Sequence, residues 1–266
     1  MSVQSSDLNH PLPENNAERA ETSEVVRLGE YARNGDFHKN ISKDWNYYPI
    51  YVNKLEIVDE YINKYTPCDG KILDAGCGEG VLVDKYSQLG WDIVGMDKNY
   101  ASKTVVQGSL TEIPFEPQTF DTVMCLDVLE HLTFQDQIKA LSELRRVVKN
   151  DGTLIVSIPN LAHFTARLKF LKRGKLLHTA SPDHHPGDRP MIEYEELLRI
   201  TYFEVVEKQG IFPTVPPLYR FVMKNPSKSA ELLRSLRKWP LPVDWNFQIL
   251  FASRAVLKMS PAESLL

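Results

Sequence analysis

Three glycines follow an apolar run and precede a helical pattern in the N-terminal half of the chain. Gly76, Gly78 and Gly80 alternate with other residues directly after Ile72–Ala75, and the helical pattern begins at Val81. Glycine is required where the backbone turns with positive φ and where a ligand lies against the main chain. The start of the helix also offers unpaired N–H groups. The pattern predicts a ligand-binding turn, and a plain strand-to-helix turn is the alternative.

Two carboxylates flank this turn in the sequence. Asp97 ends the apolar run Ile93–Met96, and an acid at such a strand tip can accept both hydroxyls of a ribose. Folds that bind NAD share this feature, so Asp97 does not choose the cofactor. Asp74 stands just before the glycines, whose spacing is closer than in the usual dinucleotide loop, and an acid there suits a cationic ligand such as a sulfonium with its ammonium group.

Histidines follow the fourth predicted strand and recur in a later loop. His131 is the last residue of the segment Asp127–His131. As a neutral imidazole it can accept a proton from the acceptor. The alternative is that it packs under the cofactor and forms a hydrogen bond with the backbone. His184 and His185 lie in a loop rich in Pro, His and Gly. They either coordinate a metal ion or belong to a solvated loop in which His185 caps the next helix. We expect His131 to be the general base and His185 to contribute to acceptor binding.

Strands that alternate with helices must position these residues. This alternation predicts right-handed crossovers and a doubly wound α/β fold. A helix is expected from Val52 to Tyr65, before the first strand. The expected strands are 71–75, 93–96, 104–107, 122–126, 152–158, 203–208 and 248–257. The predicted organisation is a polar tail (1–25), a domain (26–257) with a cofactor-binding core (66–160) and two acceptor-capping insertions (161–202 and 210–245), and a C-terminal tail (258–266).

Composition excludes several classes of function. A net charge of -4 and a pI near 6.0 argue against general nucleic-acid binding. Three dispersed cysteines and no apolar run of 18 residues fit a cytoplasmic protein that neither is secreted nor spans a membrane. Residues 161–175 carry five basic side chains and no acid, and 211–243 carry six against Glu231. Peripheral contact with a membrane surface is one interpretation, and a solvated helix face that covers the core is the other.

Residues 71–160 resemble a class I S-adenosylmethionine-dependent methyltransferase, in the broad group that includes ubiquinone-biosynthesis and sugar methyltransferases. The motifs that carry the resemblance are Leu73–Gly80, Asp97, Gln107–Leu110, Ile113–Phe115, Phe120–Asp121 and Asp127–His131. Residues 157–194 are more loosely similar to proteins associated with methionine biosynthesis and to methyltransferases of surface-glycan clusters. The expected fold is a mostly parallel, seven-stranded sheet with one antiparallel strand near its end.

The resemblance implies S-adenosylmethionine as methyl donor and assigns residues to it. The implied cofactor-binding residues are Asp74, Ala75, Gly76, Cys77, Gly78 and Gly80 (methionine part), Asp97 (ribose), Lys98, Ser109 and Leu110 (adenine), and Leu126 and Asp127, which with His131 line the methyl-transfer side. In ubiquinone-pathway O-methyltransferases an acid-x-x-Glu-His arrangement is associated with a divalent metal. Asp127, Glu130 and His131 have that outline, but our prediction includes no metal.

Two departures from the family pattern bear on the adenine pocket. Ser109 stands where relatives often carry an acid. Only Lys98 to Lys103 separate Asp97 from the third strand, too few for the usual crossover helix. We therefore expect the adenine edge to be open, or covered by the N-terminal segment.

Other residues have two interpretations. Cys77 is expected to be a small packing residue rather than a nucleophile. Trp45, Tyr47 and Tyr48 either close over the cofactor or anchor the helix that follows them.

The predicted function is the transfer of a methyl group to a small-molecule, sugar or lipid-linked acceptor, with oxygen as the expected acceptor atom. A catalytically silent S-adenosylmethionine-binding regulatory module and an NAD-dependent oxidoreductase are the alternatives. The acceptor and the oligomeric state do not follow from the sequence.

Overall fold

The structure, a computed structural model, describes residues 25–29 and 31–257. The predicted tails 1–25 and 258–266 therefore lie outside it, apart from residue 25. The strands are β1 (Val26–Arg27), β2 (Lys71–Ala75), β3 (Asp92–Asp97), β4 (Tyr100–Ala101), β5 (Val105–Gln107), β6 (Phe120–Leu126), β7 (Val148–Pro159), β8 (Phe203–Gly210) and β9 (Gln248–Ala255). The helices are α1 (Tyr31–Asn34), α2 (Tyr48–Tyr65), α3 (Val81–Gln88), α4 (Phe134–Val147), α5 (Phe164–Arg173), α6 (Met191–Ile200), α7 (Pro216–Lys224) and α8 (Pro226–Leu236).

Seven strands form one sheet in the order β5-β3-β2-β6-β7-β9-β8. All neighbours are parallel except that β9 is antiparallel to both β7 and β8. The predicted fold class is therefore confirmed. Because the order reverses beside β2, the carboxyl ends of β2, β3 and β6 border one crevice, which is where such sheets bind ligands.

Both faces of the sheet are buried because helices cover each of them. Leu73 and Val123 face a cluster that includes α4 and α6, while their neighbours Ile72 and Met124 face a second cluster that includes α2. Successive side chains of a strand point to opposite faces, so a strand covered on both sides is apolar throughout. This explains the continuous apolar runs by which the strands were predicted.

A short strand replaces the crossover helix between β3 and β5. β4 pairs antiparallel with β1, so that Val26 is opposite Ala101 and Arg27 is opposite Tyr100. The N-terminal segment thus covers the short connection between β3 and β5, beside the edge where the sequence predicted an open adenine pocket or a cover by this segment.

Residues 210–245 fold into two helices that pack beside α2. Asn53 donates to the carbonyl of Ile211 at 2.9 Å, and Glu56 forms an ion pair with Arg234. The residues that line the two described cavities include none from 210–245, and this segment packs beside α2. Within the described residues, no helix combines the length and apolar character needed to cross a membrane.

Candidate functional site

A cavity of about 690 Å³ opens at the carboxyl ends of β2, β3 and β6. Ten of the twelve predicted cofactor-binding residues line it: Asp74, Gly76, Cys77, Gly78, Asp97, Lys98, Ser109, Leu110, Leu126 and Asp127. Ala75 is buried within β2, and Gly80 precedes α3 with a φ of +82°, so neither lines the cavity as expected. Ala75 lies within the strand and Gly80 at the start of the helix, so both belong to the motif although neither faces the cavity.

The glycine turn has the predicted backbone, but for a partly different reason. Gly76 has a φ of +87°, and a Cβ atom there would lie 2.5 Å from Cγ2 of Val128. Gly78 has a φ of +59°, and its Cβ would lie 2.6 Å from Oδ2 of Asp36. The positive φ angles agree with the prediction, and atoms of Val128 and Asp36, in addition to any ligand, leave no space for a Cβ at these positions.

Asp74 is an uncompensated carboxylate at the end of β2. It is 3% exposed and lines the cavity, and its carboxylate has no hydrogen bond or ion pair among the described residues. Burial raises its pKa to about 7; the charge of Asp97 adds to this rise, and Lys54 opposes it. A cation that enters the cavity would favour the ionised form of Asp74.

Asp97 ends β3 as predicted and organises the turn. Its Oδ2 accepts the backbone N–H of Gly78 at 3.0 Å, and its Oδ1 accepts that of Asn99 at 2.8 Å. The bond from Gly78 ties the tip of β3 to the glycine turn.

The N-terminal segment is attached to the same turn by charged groups. Oδ2 of Asp36 accepts the N–H of Glu79 at 3.0 Å. The buried carboxylate of Glu79 in turn pairs with Arg27 at 2.7 Å and Lys39 at 2.6 Å. Hydrogen bonds from Arg27 hold the pKa of Glu79 below its usual value against the effect of burial, and Lys39 adds to this lowering. These contacts make the segment a wall of the cavity.

Asp127, directly after β6, is surrounded by donors. Lys54 forms an ion pair with its Oδ2, while Ser157 and Gln248 donate to its Oδ1. Burial alone would raise its pKa, but the charge and hydrogen bond of Lys54 lower the pKa below the ordinary value. Asp127 also has a φ of +56°, which is uncommon outside glycine. Its orientation is therefore determined by four separate constraints.

A second cavity, of about 360 Å³, adjoins the first. Its apolar wall consists of Trp45, Tyr47, Ile50, Pro159 and Phe247. Tyr51, Lys54, Asp127, His131 and His38 line both cavities and so lie between them. Trp45 and Tyr47 line this second cavity and do not line the first.

Comparison with known proteins agrees with this geometry. A family model described as "Methyltransferase domain" matches residues 73–156. A protein from Mycolicibacterium smegmatis, named "Probable S-adenosylmethionine-dependent methyltransferase", is 31% identical over 156 residues, which are 54% of this chain and 56% of that protein. Residues 73–156 are thus similar to a methyltransferase domain, and the matched relatives are similar to this chain over about half of its length.

Other relatives are more distant. A "Ubiquinone biosynthesis O-methyltransferase" from Aliivibrio fischeri is 28% identical over 53% of this chain and 65% of its own length. The chain spans about half the length of the curated relatives it matches. A Burkholderia thailandensis N1-methyltransferase structure, solved with 1,6-didemethyltoxoflavin and S-adenosylhomocysteine, has the same fold, with a TM-score of 0.52, 14% identity, and coverage of 86% of this chain and 84% of its own.

The ring of His131 has one defined hydrogen bond. Its Nδ1 lies 2.9 Å from the carbonyl oxygen of His184, which can only accept, so Nδ1 carries the proton and Nε2 is left as an acceptor. Burial lowers the pKa of His131, despite the opposing effect of the carbonyl of His184, and this keeps the ring neutral near pH 7.

His185 is placed by its own loop and does not cap the next helix. Its Nδ1 lies 2.8 Å from Oγ1 of Thr179, which also bonds to Asp188, while Pro190 precedes α6. The rings of His131 and His185 meet edge to face, 4.7 Å apart. His131 and His185, two candidate site residues from separate segments of the sequence, therefore lie together at the second cavity.

Glu130 lies beside these two histidines. It is 3% exposed, its Oε2 has no hydrogen-bond partner among the described residues, and burial together with the charge of Asp127 raises its pKa. Ligand atoms of Glu130, His131 and His185 lie within 4.8 Å of one another, so these three residues could hold a divalent ion. Lys54 engages Asp127, which therefore does not join this group as the sequence outline had suggested.

The remaining sequence-based assignments have clear positions. Oγ of Ser109 lies 2.9 Å from Oγ1 of Thr111, so the hydroxyl that the sequence assigned to adenine already has a hydrogen-bond partner. Cys77 packs where a Cβ of Gly95 would lie, 2.6 Å away, and burial raises the pKa of its thiol above the usual value. A buried thiol of raised pKa is a poor nucleophile.

Several site residues escaped the sequence reasoning. Lys54 is the most important, and it shares the apolar stripe of α2 with Ile50 and Val58. A lysine within an apolar helical stripe is a signal that could have been found, because buried lysines have partners. Gln248 and Phe247 carried no comparable signal, since they reach the site only through the antiparallel pairing of β9 with β7.

Proposed function

We propose that this chain transfers the methyl group of S-adenosylmethionine to an acceptor held in the second cavity, at an oxygen atom. The observation that carries the proposal is the pair of adjoining cavities with His131 and Asp127 between them. The first has the size and charge expected for the cofactor, and the second is small and largely apolar, as ligand sites usually are. The name of the Aliivibrio fischeri relative favours oxygen as the acceptor atom.

Residues of the first cavity would hold the cofactor in parts. Asp97 would accept the ribose hydroxyls, Gly76 to Gly78 would lie along the methionine part, and Asp74 would compensate its positive charge. Leu110 would pack against the adenine, and the carbonyl groups near Ser109 would accept its amino group, because the hydroxyl of Ser109 is engaged by Thr111. When bound, the cofactor supplies an electrophilic methyl group on a sulfonium.

Side chains between the cavities would align the acceptor. Alignment of two reactants and exclusion of water supply much of the rate in such a displacement. His131 would accept the acceptor's proton at Nε2, since its Nδ1–H is directed to the carbonyl of His184. The apolar wall of Trp45, Tyr47 and Phe247 would hold a small molecule, or the reactive end of a lipid-linked or sugar acceptor.

The decisive experiment compares His131→Gln with His185→Gln in methyl transfer from labelled S-adenosylmethionine. His131→Gln should lower kcat by about a hundredfold, the contribution typical of a general base, and leave the affinity for S-adenosylhomocysteine unchanged. His185→Gln should mainly raise KM for the acceptor. The reverse pattern would place the base on the loop.

The alternatives have separate outcomes in the same assays. S-adenosylhomocysteine should raise Tm, because a ligand that binds only the native state stabilises it. Binding without turnover on any acceptor would favour a silent regulatory module. Binding of NAD in place of S-adenosylhomocysteine would favour an oxidoreductase.

A further inference from the structure

The apolar stripe of α5 lies on the exposed side of the helix. Phe164, Leu168 and Leu171 recur at helical spacing; Phe164 is half-buried against Trp245, whereas Leu168 is 43% and Leu171 82% exposed. The one buried residue of the helix, Ala166, lies on the opposite side. Surface helices normally turn such a stripe towards the core. The expectation that this helix face covers the core is therefore wrong.

Helix α7 provides a contrast within the same chain. Its Val222 is buried, while Leu218, Tyr219 and Met223 pack against the core cluster beneath α2. Phe221 is the one large apolar residue of α7 that is exposed. α7 thus covers the core in the usual way, so the exposed stripe of α5 is not a general property of the C-terminal half.

Basic residues surround the stripe. Residues 161–175 contain no acid, and all five basic side chains there are exposed: Arg167, Lys169, Lys172, Arg173 and Lys175. Arg167 pairs with Asp244 at 2.6 Å, whereas the other four have no ion pair within residues 25–29 and 31–257. Phe170 and Leu176, 49% and 52% exposed, extend the apolar surface. This local positive charge contrasts with the net charge of -4 of the chain.

We propose that α5, together with Leu176, docks on an anionic membrane surface. The leucines would enter the boundary between headgroups and acyl chains, and the basic side chains would contact anionic headgroups. A nucleic acid or an acidic protein would satisfy the charges and leave the leucines in water. A second copy of the helix would cover the leucines but bring the same positive charges together. An anionic lipid surface matches both features.

The position of α5 connects this surface to the second cavity. The helix follows the carboxyl end of β7, and the ring of its first flanking residue, His163, contacts Phe247, which lines that cavity. If the proposed function holds, docking would bring the acceptor cavity close to lipids, as a lipid-linked acceptor requires. Membrane binding itself is measured without cofactor, so the two proposals can fail separately.

Vesicle flotation with the full chain tests the proposal. Vesicles of phosphatidylglycerol and phosphatidylcholine should retain the protein, vesicles of phosphatidylcholine alone should not, and high salt should weaken the retention. Leu168→Ser with Leu171→Ser should lower the partition coefficient by about tenfold or more, since two exposed leucines lose their apolar contact. Lys169→Gln with Lys172→Gln should lower it by a similar factor, because each basic residue near the surface contributes about fivefold.

Matched controls come from the same chain. Leu89, 66% exposed, can be changed to Ser to remove an exposed leucine elsewhere, and Lys43→Gln with Lys103→Gln removes two exposed charges outside α5. These controls should retain vesicle binding. Circular dichroism and Tm confirm that each variant is folded.

Four results would overturn the proposal. These are no binding to anionic vesicles at low salt, equal binding to phosphatidylcholine alone, equal losses in the control variants, and conversion of a dimer to a monomer by Leu168→Ser with Leu171→Ser in sedimentation. The last result would show that the stripe belongs to an interface between two copies. Binding of a duplex RNA that depends on the lysines but not on the leucines, without vesicle binding, would assign the charges to nucleic acid.

Discussion

Asp74 and Asp127 lie at the carboxyl ends of two neighbouring parallel strands, β2 and β6, yet their surroundings differ. Asp127 has an ammonium group and two neutral donors around it, whereas Asp74, although more deeply buried, has no partner among the described residues. A buried charge without a partner lowers the stability of the folded protein. Such unfavourable charges occur mainly at functional sites. The protein itself thus orients Asp127, and we propose that a ligand completes the surroundings of Asp74.

The largest expected effect is that of Lys54→Met, which leaves Asp127 without its cation. Loss of one partner of a buried pair costs about 3 kcal/mol or more, because the remaining charge is uncompensated. We expect urea denaturation to show this loss. Lys64→Met is the matched control on the same helix, since Lys64 is 60% exposed in its pair with Glu207 and its loss should be much less costly. Equal losses in the two variants would show that Asp127 does not depend on Lys54.

The opposite sign is expected for Asp74→Asn, which should stabilise the protein without ligand at pH 8. The pKa of Asp74 is raised from 3.8 to about 7, so its destabilising effect is absent below pH 4, grows as pH rises, and is complete above pH 7. The gain should therefore be larger at pH 8 than at pH 5. A variant that is less stable than the native protein at pH 8 would contradict this interpretation.

Asp97→Ala should weaken S-adenosylhomocysteine binding by roughly ten- to a hundredfold, the effect of losing hydrogen bonds to a charged acceptor, about 1.5 to 3 kcal/mol. Because Asp97 also accepts the N–H groups of Gly78 and Asn99, some loss of stability is expected as well. Titration calorimetry separates the two effects. An unchanged affinity would place the ribose contact elsewhere.

A further expected effect is the pH dependence of cofactor affinity, which is at most about tenfold for each pH unit. Below pH 7, Asp74 is protonated and must lose its proton to compensate a cation. The affinity for S-adenosylhomocysteine, whose ammonium group is charged, should therefore fall by at most about tenfold for each unit by which the pH is lowered. Asp74→Asn should abolish this dependence between pH 5 and 8. If the variant retains it, another group is responsible.

The sheet and the glycine turn could be predicted because they depend on local patterns. The strand Lys71–Ala75 and the helix that begins at Val81 follow directly from an apolar run and the glycines after it. The second cavity could not be predicted in this way. It combines Trp45, Lys54 and Phe247, which are far apart in sequence and meet only through the packing of α2 and β9 against the sheet.

The central claim is that Asp74 is compensated by the ligand, and the pKa of Asp74 with and without S-adenosylhomocysteine tests it most directly. Carbon NMR of aspartate-labelled protein can follow its carboxyl group, and the resonance that disappears in Asp74→Asn identifies it. We predict a titration near pH 7 without ligand that moves to lower pH by one unit or more when the ligand is bound. A resonance that titrates near pH 4 in the free protein, or one that the ligand does not shift, would contradict the account.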